Sequence, residues 1–160
     1  MNLPRILSAV AFAAKAHGEQ KRKYTGEPYI THPLAVAAMV ADVTANEDVI
    51  VAAILHDVVE DTAITVPEIA AQFGWPVANL VDELTDKHPP APGTNRAERK
   101  AKEHARLRSV SRGAKLIKLM DLRHNRSDIE KCDPPFAVVY VKETDALAND
   151  LQREFLHSSL

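Results

Sequence analysis

The stretch from residue 49 to residue 62 decides the fold, and it reads Val49-Ile50-Val51-Ala52-Ala53-Ile54-Leu55-His56-Asp57-Val58-Val59-Glu60-Asp61-Thr62. The apolar run predicts a buried helix, from about Glu47 to Asp61, whose polar end points into the interior. Residues four apart share a helix face. His56 and Asp57 could therefore bind a metal ion while Glu60 and Asp61 face its water. The alternative is a helix end with solvated acids.

Length and composition predict one compact all-α domain. At 160 residues, the chain is long enough for a full core, and we expect a single domain over residues 1–160. Aromatic residues are few, Ala and Val are abundant, and only five residues are glycine. We expect about eight helices from the apolar periodicity, with no internal repeat and no heptad series.

The cysteine content and the apolar runs predict a soluble, cytoplasmic protein. The single cysteine, Cys132, excludes an internal disulfide framework and a multi-cysteine zinc site. The first sixteen residues lack the basic start and the long apolar run of a signal peptide. Since no later apolar run approaches membrane-spanning length, we expect no membrane association.

Charge is segregated along the chain, although the net charge is only −2. Residues 42–86 contain ten acidic residues and no Lys or Arg, whereas residues 87–131 contain thirteen Lys or Arg and five acidic residues. A fold that joins these blocks would place a cation-binding acidic cluster beside a phosphate-binding basic wall. The alternative is two oppositely charged solvated faces.

The periodic segments outside the opening stretch predict further helices and one loop. The loop spans Lys87–Asn95, which contains three prolines and Gly93, and we expect it to be mobile beside the site. The predicted helices are Ile6–His17, one capped by His32 with Pro33 as its first residue, a capping-box helix from Thr65 to Phe73, Trp75–Leu84, Arg96–Ser109, one from Ser111, and Phe136–Phe155.

Polar residues of three helices form a candidate metal site. In the helix after Ser111, Lys118, Asp121 and Asn125 recur at three- and four-residue intervals and share one face. A buried aspartate needs a cation or several hydrogen-bond donors, so an internal ion pair is the alternative. The metal-competent side chains are then His32, His56, Asp57 and Asp121. Two imidazoles and two carboxylates suit manganese, with zinc or iron as alternatives.

Three ordered motifs carry a resemblance to a known family. They are His17-x-x-Gln20-x-Arg22-Lys23-x-x-Gly26-Glu27-Pro28-Tyr29-Ile30-x-His32-Pro33, His56-Asp57-x-x-Glu60-Asp61-Thr62, and Lys118-Leu119-x-Asp121-x-x-x-Asn125. Together they resemble the hydrolase domain of the RelA/SpoT family, a branch of the HD-domain metal phosphohydrolases. The similarity spans about Phe12 to Ile129, and in length the chain resembles the stand-alone small alarmone hydrolases.

The resemblance implies an all-helical HD fold and an enzyme that removes the 3′-pyrophosphate from guanosine tetra- or pentaphosphate. It implies that the metal, usually manganese in this family, is bound by His32, His56, Asp57 and Asp121. It further implies that Glu60 and Asp61 are the catalytic pair and that Asn125 lies near the ribose or the diphosphate. Either Arg22 or Lys23 would contact the nucleotide.

The segment Gly93-Thr94-Asn95-Arg96, with Arg99 and Lys100, resembles a variant found in small members of the family, some of which prefer the adenosine alarmone. The base is therefore left open. Arg96, Arg99 and Lys100 are expected to neutralise substrate phosphates, because Arg offers bidentate geometry. His124 is a further metal-competent side chain, which we expect at the surface.

Two other functions remain as alternatives. One is an HD-domain phosphatase or nucleotidase that acts on another phosphate ester, and the other is an alarmone-binding module without turnover. The presence of both Glu60 and Asp61 favours an enzyme. The negative net charge and the lack of interleaved aromatic residues argue against nucleic-acid binding. The sequence leaves open whether the chain forms a homo-oligomer.

Overall fold

The computed structural model describes residues 2–89 and 92–156, and these ranges fold into nine α-helices without a β-strand. The predicted all-α class is confirmed. Residues 90 and 91 of the predicted loop lie outside the described residues. The helices are α1 Leu3–His17, α2 Thr31–Ala41, α3 Glu47–Leu55, α4 Val58–Asp61, α5 Val66–Phe73, α6 Trp75–Leu84, α7 Arg96–Leu107, α8 Arg112–Cys132 and α9 Pro134–Leu156.

The helix predicted over residues 47–61 is divided into α3 and α4 at His56–Asp57, so the prediction of one continuous helix was wrong. Asp57 has φ −96° and ψ −7°, which departs from regular helix geometry. The chain resumes its helix when the Asp61 N–H donates to the Asp57 carbonyl at 2.9 Å. Adjacent side chains of a regular helix diverge, whereas this turn brings His56 Nε2 within 3.2 Å of Asp57 Oδ2.

Helix α3 is the centre of the core. Every residue from Val49 to Leu55 is buried, and the helix packs against α1, α2, α6 and α8. A helix that is apolar on all sides is stable only when it is surrounded in this way. A second, smaller apolar cluster joins α7, α8 and α9 through Leu107, Leu119, Leu122, Leu147 and Leu151. Both clusters fix α8, which contacts α3 on one side and α9 on the other.

Several helix starts follow the sequence signals, although α1 begins at Leu3 rather than Ile6 and α9 begins at Pro134 rather than Phe136. The Thr65–Glu68 capping box is present, with the Thr65 N–H donating to Glu68 at 2.8 Å. Ser111 caps α8 as predicted. However, α2 begins at Thr31, so His32 is not the cap but lies in the first turn, where its side chain is only 1% exposed. None of the helices in the described ranges has the length and hydropathy to cross a membrane.

The buried carboxylate of Glu103 connects α7 to the end of α6. Glu103 is 5% exposed, and it accepts hydrogen bonds from Arg106 Nε at 3.0 and 3.1 Å and pairs with His88 Nδ1 at 2.9 Å. Arg106 also donates to the carbonyl oxygen atoms of Glu83, at 2.8 Å, and Thr85, at 3.3 Å. Helix α7 is otherwise very polar, so this ion pair replaces much of the apolar packing that holds the other helices.

Replacing Glu103 by glutamine is expected to lower the free energy of unfolding at pH 7 by about 2 kcal/mol, since Arg106 loses its buried anionic partner. Burial alone would raise the pKa of Glu103, but the bonds from Arg106 and His88 lower it from 4.5 to about 2. The carboxylate therefore stabilises the fold fully above pH 4.5, and this contribution is lost as the pH falls towards 2.

Urea unfolding at pH 7, 4.5 and 3 measures this effect. Between pH 4.5 and 3, the Glu103→Gln protein should lose less stability than the wild type. Glu98→Gln, at an exposed position on the same helix, is the matched control and should follow the wild type. An unchanged acid dependence in Glu103→Gln would show that this carboxylate does not contribute as described.

Candidate active site

Four polar side chains from three parts of the fold converge on one point. His32 comes from α2, His56 and Asp57 from the turn between α3 and α4, and Asp121 from α8. His32 Nε2 lies 3.2 Å from Asp121 Oδ1 and 3.5 Å from Asp57 Oδ2. His56 Nε2 lies 3.2 Å from Asp57 Oδ2 and 3.9 Å from Asp121 Oδ1. The structure thus brings together all four residues of the predicted metal site.

The hydrogen bonding of the two ring nitrogen atoms of His56 tests whether the four side chains are suited to a metal ion. His56 Nδ1 lies 2.8 Å from the Ala53 carbonyl, to which it can only donate, so the Nε2 of the neutral ring carries a lone pair. This Nε2 is buried and has no hydrogen-bond partner among the described residues. It faces the carboxylates of Asp57 and Asp121 instead. A lone pair that faces two carboxylates is unfavourable unless a proton or a metal cation lies between them, and two imidazoles with two carboxylates form a donor set that fits a divalent metal ion.

Asp121 is held in its charged form. Lys118 Nζ donates to its Oδ2 at 2.7 Å, and Asn125 Nδ2 donates to its Oδ1 at 2.6 Å. Burial alone would raise the pKa of Asp121, but the positive charge of Lys118 outweighs burial and holds this pKa well below its usual range. In return, Asp121 raises the pKa of Lys118, although burial opposes this. The carboxylate is therefore available to a cation over the physiological pH range.

Asp57 is oriented by Tyr29, which the sequence did not single out as a site residue. The Tyr29 hydroxyl donates to Asp57 Oδ2 at 2.7 Å. Burial, and then the negative charge of Asp57, raise the pKa of Tyr29, so the phenol keeps its proton and remains a donor. The Tyr29 ring also packs against the His17 ring, with ring centroids 4.7 Å apart and an interplanar angle of 36°.

Glu60 and Asp61, on α4, have different surroundings. Glu60 keeps an exposed edge, but protein atoms crowd its carboxyl, and this partial burial raises its pKa. Its Oε2 accepts the Asp86 N–H at 3.1 Å, which leaves Oε1 without a described hydrogen bond. Asp61 is exposed and accepts a hydrogen bond from Gln20 Nε2 at 3.0 Å. Gln20 Oε1 lies in turn 2.9 Å from His17 Nδ1.

A cavity of about 200 Å³ adjoins this group of residues. Glu60, Asp121 and Asn125 form part of its wall, and Arg96 and Lys100 of α7 form another part. Of the three basic residues of α7 predicted near the site, Arg96 and Lys100 therefore face the acidic residues, whereas Arg99 is not part of this wall and donates from Nη1 to the His88 carbonyl at 3.2 Å. The remaining lining comes from α6, α7, α8 and α9 and from Asp86 after α6, and it includes Leu84, Leu107, Leu122 and Tyr140.

The two cations of this wall differ in their availability. Arg96 donates from Nε and Nη2 to the two carboxylate oxygen atoms of Glu143, at 2.9 Å each. Lys100 forms no ion pair within the described part of the chain. Lys100 is thus the cation more readily available to a phosphate, whereas Arg96 is engaged in bridging α7 to α9.

Arg22 and Lys23, the basic pair of the first motif, separate in the structure. Arg22 Nη2 donates to Asn125 Oδ1 at 2.8 Å and to Asp128 Oδ2 at 2.9 Å, so this side chain borders the site. The Lys23 side chain is exposed, and its ammonium lies 4.9 Å from the centre of the Tyr24 ring. Of the pair, Arg22 is the one in contact with another predicted site residue.

The comparison with protein families agrees with this arrangement, because a family model described as an HD domain matches residues 9–147. The chain belongs to the HD-domain family. The resemblance to RelA/SpoT-type hydrolases is also confirmed. The human guanosine-3′,5′-bis(diphosphate) 3′-pyrophosphohydrolase MESH1 is 41% identical over 133 residues, which cover 81% of this chain and 72% of that protein.

A longer relative and a solved structure also match this HD domain. A probable guanosine-3′,5′-bis(diphosphate) 3′-pyrophosphohydrolase of Synechocystis is 38% identical over 132 residues, which cover 81% of this chain but only 17% of that protein. Among solved structures, a metazoan ortholog of SpoT that hydrolyses ppGpp superposes with a TM-score of 0.79 at 27% identity, covering 100% of this chain and 98% of its own.

Some residues near the site of this HD domain were missed or misplaced from the sequence. The expectation that His124 is a surface residue was wrong, since its side chain is only 23% exposed and its Nδ1 lies 3.0 Å from His32 Nδ1. Asp128 was not considered. Asp121, His124, Asn125 and Asp128 follow the spacing i, i+3, i+4 and i+7. The helical period could therefore have placed all four on one face of the helix.

Proposed function

We propose that this HD domain is a metal-dependent 3′-pyrophosphohydrolase whose substrate is a purine nucleotide with a 3′-diphosphate, namely guanosine tetra- or pentaphosphate or the adenosine counterpart. The observation that carries the proposal is the buried, unpaired Nε2 of His56, which faces two carboxylates beside a cavity lined by cations. The names of the relatives support the substrate class, because human MESH1 is a guanosine-3′,5′-bis(diphosphate) 3′-pyrophosphohydrolase.

His32, His56, Asp57 and Asp121 would hold the metal, for which we propose manganese, with zinc or another divalent ion as alternatives. When bound, such an ion lowers the pKa of a coordinated water and polarises a phosphoryl oxygen. The protein keeps these ligands in the required protonation states. The Ala53 carbonyl leaves the lone pair of His56 on Nε2, and Lys118 keeps Asp121 ionised.

Glu60 is suited to accept the proton of the attacking water at Oε1, since its Oε2 is held by the Asp86 N–H and its raised pKa makes it a stronger base than a fully hydrated glutamate. Asp61, held by Gln20, would orient the same water. Water adds to the phosphorus bonded to the 3′-oxygen, and the bond between this phosphorus and the 3′-oxygen breaks. The products are pyrophosphate and a nucleotide, whose 3′-oxygen takes up one proton and becomes a hydroxyl group.

Arg22, Lys23, Arg96, Lys100 and Asn125 would bind the substrate. Lys100 and Arg96 line the cavity and would neutralise phosphate charge, while Asn125, bonded to both Asp121 and Arg22, would link the metal group to the nucleotide. Lys23 would meet the substrate only at the exposed rim. Arg22 would exchange its bond to Asp128 for one to the ligand.

Lys100→Ala is expected to raise KM about tenfold, the loss of roughly one charge-assisted phosphate contact, with a smaller change in kcat. Arg96→Ala should have the weaker effect on KM, because Glu143 already neutralises that guanidinium. Steady-state kinetics at low and high salt check this order. Lys102→Ala, at an exposed position on the same helix, is the control. An equal KM in Lys100→Ala and Lys102→Ala would remove Lys100 from the substrate site.

The experiment that tests the function measures pyrophosphate release from the guanosine and adenosine tetraphosphates, with manganese and with a chelator. We expect release with manganese and none with the chelator. Release from only one nucleotide would identify the base. Orthophosphate as the product would favour an HD-domain phosphatase or nucleotidase instead. Tight nucleotide binding without any product would favour a non-hydrolysing alarmone-binding module.

Three further predictions accompany the proposal. The chain would act as one domain over residues 1–160, it would work in the cytoplasm, and its partner would be a small nucleotide rather than nucleic acid. The contacts of α7 support the last of these, because Arg96, Arg106 and Arg108 pair with carboxylates of the same chain. With three arginines on or next to α7 already neutralised, this helix is a poor binding surface for a phosphate backbone.

A further inference from the structure

The ring of His124 contacts the ring of His32 through matching nitrogen atoms. The two Nδ1 atoms are 3.0 Å apart, and the ring centroids are 4.9 Å apart at an interplanar angle of 51°. The Asp128 carboxylate lies 3.8 Å from His124 Nδ1, which is outside hydrogen-bond distance. The hydrogen-bond partner of His124 Nδ1 is therefore His32.

The direction of this hydrogen bond follows from the other nitrogen of His32. His32 Nε2 faces Asp121 Oδ1 at 3.2 Å and Asp57 Oδ2 at 3.5 Å. To bind a metal between these oxygen atoms, Nε2 must carry a lone pair, so the proton of the neutral ring resides on Nδ1. His32 then donates from Nδ1, and His124 Nδ1 is the acceptor.

The hydrogen bond from His32 Nδ1 resembles the one that His56 makes. His56 donates from Nδ1 to the Ala53 carbonyl at 2.8 Å, so the Nδ1 of each imidazole has an acceptor, on the side of the ring away from Nε2. His32 lies in the first turn of α2 and uses a side chain of α8, the helix that also carries Asp121. The His124–His32 contact therefore couples the placement of two predicted metal ligands from different helices.

We propose that His124 is a positioning residue, which accepts the Nδ1 proton of His32 and so fixes the tautomer and the ring plane in which His32 Nε2 binds the metal. This role rests on the metal site of the proposed function. An outer hydrogen bond to a metal-binding histidine typically contributes a factor of 10 to 100 to metal affinity.

Two variants separate the hydrogen bond from the volume of the side chain. Asparagine places Oδ1 on Cγ, where histidine has Nδ1, so His124→Asn keeps an acceptor. His124→Leu fills a similar volume without one. Manganese titration of the metal-free proteins by calorimetry should show affinity about 10- to 100-fold weaker in His124→Leu and within a few-fold of the wild type in His124→Asn. The absorption spectrum of the cobalt-substituted protein should change in the leucine variant alone.

The outcomes distinguish this role from the metal site itself. If the wild type binds manganese and His124→Leu has the same affinity and cobalt spectrum, the positioning role is wrong while the proposed function stands. If the wild type binds neither manganese nor cobalt, the metal site of the proposed function is wrong. Should His124→Leu fail to fold in a chelator, His124→Ala with added imidazole replaces it. Imidazole should then restore manganese affinity, and a lack of recovery would overturn the positioning role.

Discussion

Asp57→Ala is expected to reduce pyrophosphate release by about 10³-fold or more and to abolish manganese binding. Its Oδ2 lies within 3.5 Å of Nε2 of both His32 and His56, so a single oxygen atom borders both imidazoles. Without it, the two lone pairs face a site with half of its negative charge removed. Tyr29 would also lose the acceptor of its hydroxyl group.

The fold should survive this change, because Asp57 occupies the turn between α3 and α4 and its side chain is partly exposed. Calorimetric manganese titration, pyrophosphate release and urea unfolding in a chelator provide the three measurements. Asp82→Ala, which removes an exposed carboxylate from α6, is the matched control and should behave as the wild type. Undiminished release in Asp57→Ala would exclude the proposed metal site.

Glu60→Gln should lower kcat by about 10²- to 10⁴-fold, the usual contribution of a general base. Manganese affinity should remain close to that of the wild type, because Glu60 does not belong to the four-residue metal group. The amide keeps the shape of the side chain and an oxygen atom that can accept the Asp86 N–H, so the cavity wall should be preserved. This variant thus separates proton transfer from metal binding, which Asp57→Ala cannot do.

Rapid-quench measurement of a single turnover, together with manganese titration, tests this separation. Asp61→Asn is expected to have the smaller effect on kcat, since Asp61 is exposed and is held by Gln20. Glu130→Gln, on the surface of α8, controls for the loss of one negative charge. A Glu60→Gln enzyme with wild-type kcat would assign the proton transfer to another group.

The sequence predicted the features that depend on local periodicity and on short motifs. The apolar run of residues 49–55 predicted a buried helix, and in the structure that helix is fully enclosed. The positions of His32, His56, Asp57 and Asp121 in three motifs predicted that they meet, and the distances agree. Their roles as metal ligands remain predictions.

The features that were missed depend on contacts between distant segments. The break at His56–Asp57 is a change of backbone dihedral angles at Asp57. The apolar pattern does not reveal this change, because it resumes at Val58. Arg96 looked free for substrate, but its partner Glu143 lies 47 residues further along the chain. No local rule connects such a pair. Tyr29 was missed for the same reason, because its hydroxyl donates to Asp57, 28 residues further along the chain.

The order of the four metal-binding candidates along the chain has a consequence for the protein while it is being made. His32, His56 and Asp57 leave the ribosome early, but Asp121 and its helix α8 follow only after α5, α6 and α7. A nascent chain therefore presents two imidazoles and one carboxylate without the residue that completes the group, and α3 lacks the cover of α8. Stable capture of the metal would begin only after α8, which carries Asp121, has also left the ribosome.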